Sequence, residues 1–268
     1  MAKPTLVLPP RYSDDSNALW RAAIALGWEI ERLQGWTAPP ELHGAQAVIY
    51  GEWLWAKHIA EQLGVHLWEP PLDFLARLPF EQVRRKITFT TLAAAREMTF
   101  PLFVKPASDK AFEARVYASK DDLPAPDFWP EELPVLVSEV VEWEVEYRCF
   151  VLNNKAETAS SYWRGESSTQ DENGLYISPS EELEAAVRFA NRVLKSKKRG
   201  WGYAGGVLDV GFIQERGWAV IEANPAFGAG LYGCDAQKVL KVVAHCAFHE
   251  RHGIGFSVAP NDEFFKPK

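Results

Sequence analysis

The residues best suited to chemistry are two acids and an asparagine late in the chain. Asp209 lies in the apolar run 207–212, and Glu222 and Asn224 lie in a second apolar run, 218–225. Because alternate residues of a strand share a face, a hairpin of these runs would place Asp209 beside Glu222, with Asn224 one pleat further on. Two carboxylates and an amide oxygen suit Mg²⁺, which takes one or two carboxylates and fills its other positions with substrate phosphates and water. The pattern predicts a magnesium site for a nucleotide and, with it, phosphoryl chemistry.

The same two acids have an ordinary alternative interpretation, because acidic residues at strand ends usually face solvent. The runs around Asp209 and Glu222 are almost wholly apolar, which predicts a sheet that is buried on both faces. A charge in such a strand is costly unless it is paired or bound to a metal. On the hairpin alone, both interpretations remain open.

Three lysines could meet the phosphates of such a nucleotide. Lys105 ends the apolar run 103–106, where a lysine needs an anionic partner or must extend its ammonium group to water. Lys86 follows two arginines and is equally compatible with an ordinary surface position. Lys110 lies in a turn after Pro106 that could close over phosphates. No Walker glycine–lysine pattern occurs in the chain, which excludes a P-loop.

A third segment could hold the base and the sugar of the nucleotide. Glu139, Val140 and Val141 end an apolar run, and a strand that leaves the core there can offer backbone groups to an adenine edge. Glu146 could accept hydrogen bonds from ribose hydroxyls, and Arg148 lies two residues further on the same strand face. The alternative is an exposed meander of alternating charges.

Taken in order along the chain, these residues resemble the ATP-grasp superfamily over roughly residues 79–233. The shared pattern is a lysine that opens the domain, a second lysine on a strand, a hinge glutamate seven residues before a ribose glutamate, and two metal carboxylates thirteen residues apart. The asparagine is followed by a proline and a glycine-bearing loop, 224–228, as in that family. The pairs around Lys105 and Arg148 also resemble a clade of short ATP-grasp proteins of bacteria and phages.

The resemblance implies an ATP- and Mg²⁺-dependent ligase that activates a carboxylate as an acyl phosphate for attack by an amine. It implies small-molecule or peptide substrates of these two classes. It also assigns site residues: Asp209, Glu222 and Asn224 to the metal, Lys86, Lys105 and Lys110 to the phosphates, and Glu139, Val140, Val141 and Glu146 to the nucleoside.

Two departures from the family pattern bear on the reaction. The loop at 107–112, which normally covers the phosphates, contains no glycine, and the run 203–208 lacks the arginine that often precedes the first metal carboxylate. Arg148 or Arg164 is expected to supply that catalytic charge. Two alternatives to a ligase stay open, namely a nucleotide-binding protein without turnover and a phosphotransferase on the same fold.

These positions predict an α/β (α+β) protein, with an ATP-grasp domain at residues 79–268 after a small open α/β domain at residues 1–78. Strands that alternate with helices in the first domain favour a parallel sheet. Its strands are expected at 5–8, 28–33, 45–50 and 65–68, and its helices at 17–26, capped within 14–16, and 53–63. In the second domain we expect helices at 88–97, at 181–195 after a cap at Ser180, and at 236–251, and strands at 100–105, 115–118, 135–141, 145–152 and 155–162.

Composition sets outer limits on function. The chain has 268 residues, of which 47% are hydrophobic and 24% charged, and its net charge of −7 does not favour binding to nucleic acid. Its three cysteines form no metal motif, no apolar run reaches the length of a membrane span, and the start lacks a signal-peptide core. We therefore expect a cytoplasmic protein that binds neither nucleic acid nor membrane. Around Arg11, Tyr12 and Glu52, and in the loop 163–174, we expect the surface that selects substrates.

Overall fold

The computed structural model describes residues 3–108, 111–196, 205–251 and 254–257. Within these ranges there are seven α-helices and fifteen strands. The helices are α1 (Asp14–Leu26), α2 (Trp53–Leu63), α3 (Phe74–Arg77), α4 (Phe80–Val83), α5 (Leu92–Arg96), α6 (Ser180–Lys195) and α7 (Ala236–His245). The strands are β1 (Thr5–Leu8), β2 (Glu29–Arg32), β3 (Ala47–Ile49), β4 (His66–Leu67), β5 (Ile87–Thr91), β6 (Leu102–Pro106), β7 (Arg115–Tyr117), β8 (Pro134–Ser138), β9 (Trp143–Leu152), β10 (Lys155–Arg164), β11 (Ser167–Ser168), β12 (Gly205–Ile213), β13 (Gly217–Asn224), β14 (Ala247–Arg251) and β15 (Ile254–Ser257).

The N-terminal part forms a small parallel sheet of order β2-β1-β3 with α1 and α2. Helix α1 begins three residues earlier than expected, because Ser13 caps it by accepting the backbone N–H of Ser16 while Ser16 returns the bond. Glycines end both helices in the left-handed conformation, Gly27 after α1 and Gly64 after α2. The predicted alternation of strands and helices is confirmed here, except at β4.

Strand β4 was expected to extend the parallel sheet, and this prediction is wrong. It pairs antiparallel with β14, which itself pairs with β15. The long helix expected at 236–251 ends at His245, and Ala247 begins β14 instead. The partner strand decides both outcomes, since a two-residue strand such as β4 is formed by pairing rather than by local preference.

A four-stranded antiparallel sheet of order β5-β8-β6-β7 forms the first half of the predicted ATP-binding region. Residues 88–91 were expected to be helical, but they form β5, and Thr91 then caps α5 by accepting the N–H of Ala94. The reason is the run Thr88-Phe89-Thr90-Thr91, in which β-branched and aromatic side chains favour a strand. Only the alanine-rich part that follows is helical.

The central sheet is five-stranded, of order β11-β10-β9-β12-β13, and its long strands pair antiparallel. The amphipathic helix α6 packs on β10, as expected, although Pro179 rather than Ser180 occupies its N-cap position. A buried core on each face of β9 and β12 makes these strands apolar along most of their length, with Phe150 and Val207 in one core and Tyr147 and Leu208 in the other. The predicted double-sided burial is thereby confirmed for β12.

The first of these cores unites the N-terminal sheet with α7 and the inner ends of β9 and β12. It therefore contains side chains from both sides of the predicted boundary between residues 78 and 79, which itself stays a prediction. None of the helices in the described ranges has the length and apolar character needed to cross a bilayer.

Candidate nucleotide and metal site

The hairpin β12–β13 places the three predicted metal residues together. Asp209 and Glu222 are direct cross-strand partners, as the period-two pattern predicted. The Asn224 side-chain amide donates to both carboxylates, at 3.2 Å to Asp209 Oδ2 and 2.8 Å to Glu222 Oε1. The three side chains therefore share one face of the sheet and form one hydrogen-bonded group.

Asp209 is completely buried and is held by an arginine from the neighbouring strand β9. Arg148 is its register partner and donates from Nε to Oδ1 at 3.0 Å and from Nη2 to Oδ2 at 2.7 Å. Burial raises the pKa of Asp209, and the Arg148 guanidinium opposes this rise. Arg148 also donates from Nη1 to the carbonyl of Gly230 at 3.0 Å, so all three of its nitrogens are engaged. A bidentate, buried pair of this kind has strict geometry and fixes the position of the carboxylate.

Glu222 is less buried and is paired with Lys105, which reaches it from the other sheet. The Lys105 ammonium lies 2.6 Å from Glu222 Oε2, and the two side chains are 21% and 30% exposed. Burial opposes ionisation of Glu222, but Lys105 and Asn224 outweigh it and lower its pKa to about 2. Lys105 thus has the anionic partner that its place in an apolar strand predicted, and the pair connects β6 to β13.

The donor set at this site fits Mg²⁺. Nowhere in the described ranges do three His, Cys, Asp or Glu side chains gather as a metal-binding group, so the site has two carboxylates and one amide. That is the number of protein oxygens expected where phosphates complete the shell. A half-turn of the Asn224 amide would present its oxygen where the nitrogen now faces both carboxylates.

Glu146 lies on β9 two residues before Arg148, beside the same cluster. Its carboxylate accepts a hydrogen bond of 2.5 Å from the Tyr162 hydroxyl on β10. Burial raises the pKa of Glu146, the Tyr162 donor lowers it, and the charges of Asp209 and Glu222 raise it. The structure thus places Glu146 within the electrostatic reach of both predicted metal carboxylates.

At the hinge between the two sheets, Glu139 and Lys86 contact each other through the backbone. The Glu139 N–H donates to the carbonyl of Lys86, and the Lys86 N–H donates to Glu139 Oε2. The Glu139 carboxylate also pairs with Arg216 at 2.7 Å, and this bond is the main cause of its lowered pKa. With Phe80 and Arg84, these side chains line a surface cavity of about 460 Å³. The Lys86 side chain is therefore exposed at the hinge and is not brought beside Lys105.

The remaining predicted residues lie at the edges of the site. Val140 is 40% exposed in the hinge, and Val141 is half-buried next to it. Arg164 pairs with Glu182 on α6, away from the carboxylates of the hairpin. Lys110 lies outside the described residues. Of the two arginines considered for catalysis, the structure brings only Arg148 to the metal residues.

The family to which the chain belongs follows from its sequence over this same region. A family model described as an ATP-grasp domain, family 2 of its clade, matches residues 83–242, more than half of the chain. The chain belongs to this ATP-grasp family. The matched range runs from α4 into α7 and contains every predicted site residue from Lys86 to Asn224. A search of curated proteins found no match.

Solved structures show the same fold. A RimK domain ATP-grasp protein from Sphaerobacter thermophilus is 15% identical, with a TM-score of 0.54 over 90% of this chain and 99% of that one. The ATP-grasp ligase PsnB with a minimal precursor has 15% identity and a TM-score of 0.49 over 87% and 93% of the two chains. D-alanine–D-alanine ligase from Bacillus anthracis with ATP has 14% identity and a TM-score of 0.47 over 84% and 86%. The predicted ATP-grasp fold is confirmed, whereas the roles of the individual site residues stay predictions.

Sequence reasoning missed one buried residue of this ATP-grasp site, Arg85. Its guanidinium donates to the carbonyls of Val220 at 2.7 Å and Ile221 at 3.0 Å on β13, and to Ser138 Oγ at 3.2 Å on β8. Burial lowers the pKa of Arg85 to about 10, and the charge of Glu222 opposes this fall. Arg85 thereby ties the two sheets together beneath the hinge. The alternation in Arg84-Arg85-Lys86 was the available signal, because only the middle residue of three can face inward when its neighbours face out.

Two tyrosines that sequence reasoning also missed cover the Arg148 guanidinium. Its central carbon lies 4.5 Å from the ring centre of Tyr232 and 5.6 Å from that of Tyr162. The two rings stack on each other with centres 4.8 Å apart. Cation–π contacts add to the ion pair with Asp209 and leave Arg148 a single orientation. These tyrosines are far apart in sequence and carry no motif.

Proposed function

We propose that the protein is an ATP- and Mg²⁺-dependent ligase that joins a carboxylate to an amine through an acyl phosphate. One observation carries the proposal, namely the continuous set of contacts Lys105–Glu222–Asn224–Asp209–Arg148 on one sheet face. It supports the proposal because it gathers a lysine for phosphate oxygens and three oxygen donors for a metal at one place. Membership of the ATP-grasp family supports the nucleotide as ATP.

In this proposal, Glu222 and Asn224 hold the metal directly and Asp209 supports it from below. The metal supplies charge neutralisation between the terminal phosphates and so assists transfer of the γ-phosphoryl group. Lys105 leaves Glu222 and contacts phosphate oxygens, while Arg148 keeps Asp209 ionised and in place. Glu146 accepts hydrogen bonds from the ribose, and the hinge at Glu139 to Val141 receives the adenine.

The chemistry proceeds in two balanced steps. A substrate carboxylate oxygen attacks the γ-phosphorus, the bond from that phosphorus to the β-phosphate oxygen breaks, and ADP leaves with its electron pair. The amine nitrogen then attacks the acyl carbon, a carbon–nitrogen bond forms, and the carbon–oxygen bond to phosphate breaks. The nitrogen loses its surplus proton, and the products are an amide and inorganic phosphate. Such catalysis depends mainly on positioning and charge stabilisation.

An isotope experiment tests this reaction directly. Pools of carboxylates labelled with ¹⁸O are offered together with amines, ATP and Mg²⁺, and the released phosphate is analysed by mass spectrometry. A ligase transfers one ¹⁸O from the carboxylate to phosphate, whereas phosphate transfer to a hydroxyl leaves the label in the carboxylate. The Glu222→Gln and Lys105→Ala variants should lose ATP turnover while keeping the fold. Glu184→Gln, an exposed change on α6, is the matched control. Wild-type turnover in Glu222→Gln or Lys105→Ala would contradict the proposed roles.

A second candidate function is nucleotide binding without turnover. Two observations favour it: both oxygens of Asp209 are engaged by Arg148, and the loop at 107–112 has no glycine to close over phosphates. Calorimetry with ATP and Mg²⁺ separates the two candidates. Tight ATP uptake without ADP formation from any carboxylate and amine pool would establish the second.

A further inference from the structure

A cavity of about 540 Å³ opens between the N-terminal sheet and the loop that follows Asn224. One wall is the segment from the end of β1 to the first turn of α1, and the opposite wall contains Gly228 and Gly230. The three residues that sequence analysis placed on the specificity surface all line it: Arg11, Tyr12 and Glu52. The cavity therefore lies where the N-terminal part meets the proposed catalytic cluster.

Two hydrogen bonds connect this cavity to that cluster. Arg148, which chelates Asp209, also donates to the carbonyl of Gly230 on the cavity wall. The next residue, Leu231, donates its backbone N–H to Asp15 Oδ2 at 3.2 Å. Asp15 on the cavity wall is thus separated from the proposed metal carboxylate by one loop and one arginine side chain. A molecule in the cavity would lie next to the proposed site of phosphoryl transfer.

The charges that line the cavity favour a cation. Arg11 pairs with Glu52 at 3.3 Å, and both side chains are largely exposed, so their charges offset each other. Asp14 and Asp15 then leave the lining negative, and Arg148 on the far side of the loop is already paired with Asp209. Burial raises the pKa of Asp15, Asp14 raises it further, and Arg148 and the Leu231 N–H lower it. An entering ammonium group would offset the repulsion between the two acids.

The rim of the cavity is held in shape before any molecule enters. Arg32 donates to the carbonyls of Pro9 at 2.8 Å and Arg11 at 3.3 Å, and its guanidinium lies 4.1 Å from the centre of the Tyr12 ring. On the other side, Tyr50 donates its hydroxyl to the carbonyl of Ala229 at 2.9 Å. A preformed site loses little conformational entropy on binding.

We propose that this cavity binds the amine substrate, as a primary ammonium received by the Asp15 carboxylate and enclosed by Tyr12 and Tyr50. The inference rests on the proposed function, because the amine must reach an acyl phosphate formed beside Asp209. Anionic molecules are disfavoured at the same place, since Asp14 and Asp15 repel them. The substrate class is a small aliphatic amine that carries its positive charge into the cavity.

Three four-carbon probes of matched length test the proposal: 1,4-diaminobutane, succinate and 1,4-butanediol. Each is titrated into ¹⁵N-labelled protein, and backbone amide shifts are followed by NMR. The diamine should shift the amides of residues 12–16, 51–52 and 228–231, and the diol and succinate should not. Asp15→Asn should weaken the diamine response by about tenfold or more, because it removes the charged acceptor. Asp127→Asn, which removes the same charge from an exposed loop, should leave the response unchanged.

The outcomes separate this inference from the proposed function. Diamine shifts confined to the cavity and lost in Asp15→Asn support it, and the wild-type shift map does so even if the variant fails to fold. Succinate shifts at the same amides, or no response to the diamine, overturn it. ATP uptake in the presence of Mg²⁺ is measured by calorimetry on the same sample. If ATP binds but the diamine does not, only the cavity assignment fails; if the diamine binds but ATP does not, only the proposed function fails.

Discussion

Lys105 Nζ lies 2.6 Å from Glu222 Oε2, so a cation of the protein itself occupies the carboxylate that is proposed to bind the metal. The pair crosses from β6 to β13 and holds the two sheets together at the position where a triphosphate would lie. Metal and lysine cannot share that oxygen, because two cations at one carboxylate oxygen repel each other. Lys105 must therefore leave Glu222 when metal and nucleotide enter.

Removing Lys105 should have opposite effects on the two ligands. Lys105→Ala should bind Mn²⁺ alone more tightly than the wild type, since the competing ammonium is gone, and should bind ATP less tightly, since a phosphate contact is lost. Free Mn²⁺ is measured by its paramagnetic resonance signal and ATP binding by calorimetry. Lys120→Ala, an exposed change in the same half of the molecule, is the control. Weaker binding of both ligands in Lys105→Ala would contradict the competition.

Replacing Arg148 should destabilise the fold more than replacing an exposed arginine. Arg148→Met leaves the completely buried Asp209 without its cation, and breaking a buried pair in this way costs about 3–5 kcal/mol. The control is Arg188→Met, whose pair with Glu184 is more than half exposed and should contribute under about 1 kcal/mol. The free energy of unfolding is measured with urea for all three proteins. Equal, small losses in the two variants would show that Asp209 does not depend on Arg148.

The stability contributed by Glu222 should disappear in acid. Its pKa is about 2 in the folded protein against an ordinary value of 4.5, so the ionised form is favoured by folding. This contribution is complete above pH 4.5 and is lost as the pH falls towards 2. The difference in unfolding free energy between the wild type and Glu222→Gln should therefore narrow steadily below pH 4.5. A difference that stays constant between neutral pH and pH 3, about one unit above the folded value, would refute the ion pair.

Glu146 should recognise the ribose hydroxyls and nothing else of the nucleotide. Glu146→Ala should lower ATP affinity by about tenfold to a hundredfold, the range for hydrogen bonds to a charged acceptor. The same variant should bind 2′,3′-dideoxy-ATP as the wild type does, because that analogue lacks both hydroxyls. Glu144→Ala, an exposed change two residues earlier on β9, controls for charge and should affect neither affinity. Equal loss of affinity for both nucleotides would place Glu146 elsewhere than at the sugar.

Much of the central hairpin could be predicted from the sequence alone. Alternation with a period of two placed Asp209 beside Glu222 and Asn224, and their apolar neighbours predicted a buried sheet. Lys105 in an apolar strand predicted an anionic partner, because an unpaired buried ammonium is costly. These inferences needed only strand geometry and the cost of burying charge, which are properties of short segments.

Tertiary structure decided which groups meet across the molecule. Asp209 and Arg148 are 61 residues apart in the chain, and their bidentate contact depends on the register between β12 and β9. The sheet pleat selected Arg85 over Lys86 as the buried cation, and the pairing of β4 with β14 overrode the expected end of the last helix. Local sequence fixes the conformational preference of a segment and the energetic need of a buried charge. Only the packing of distant strands determines which partner satisfies that need.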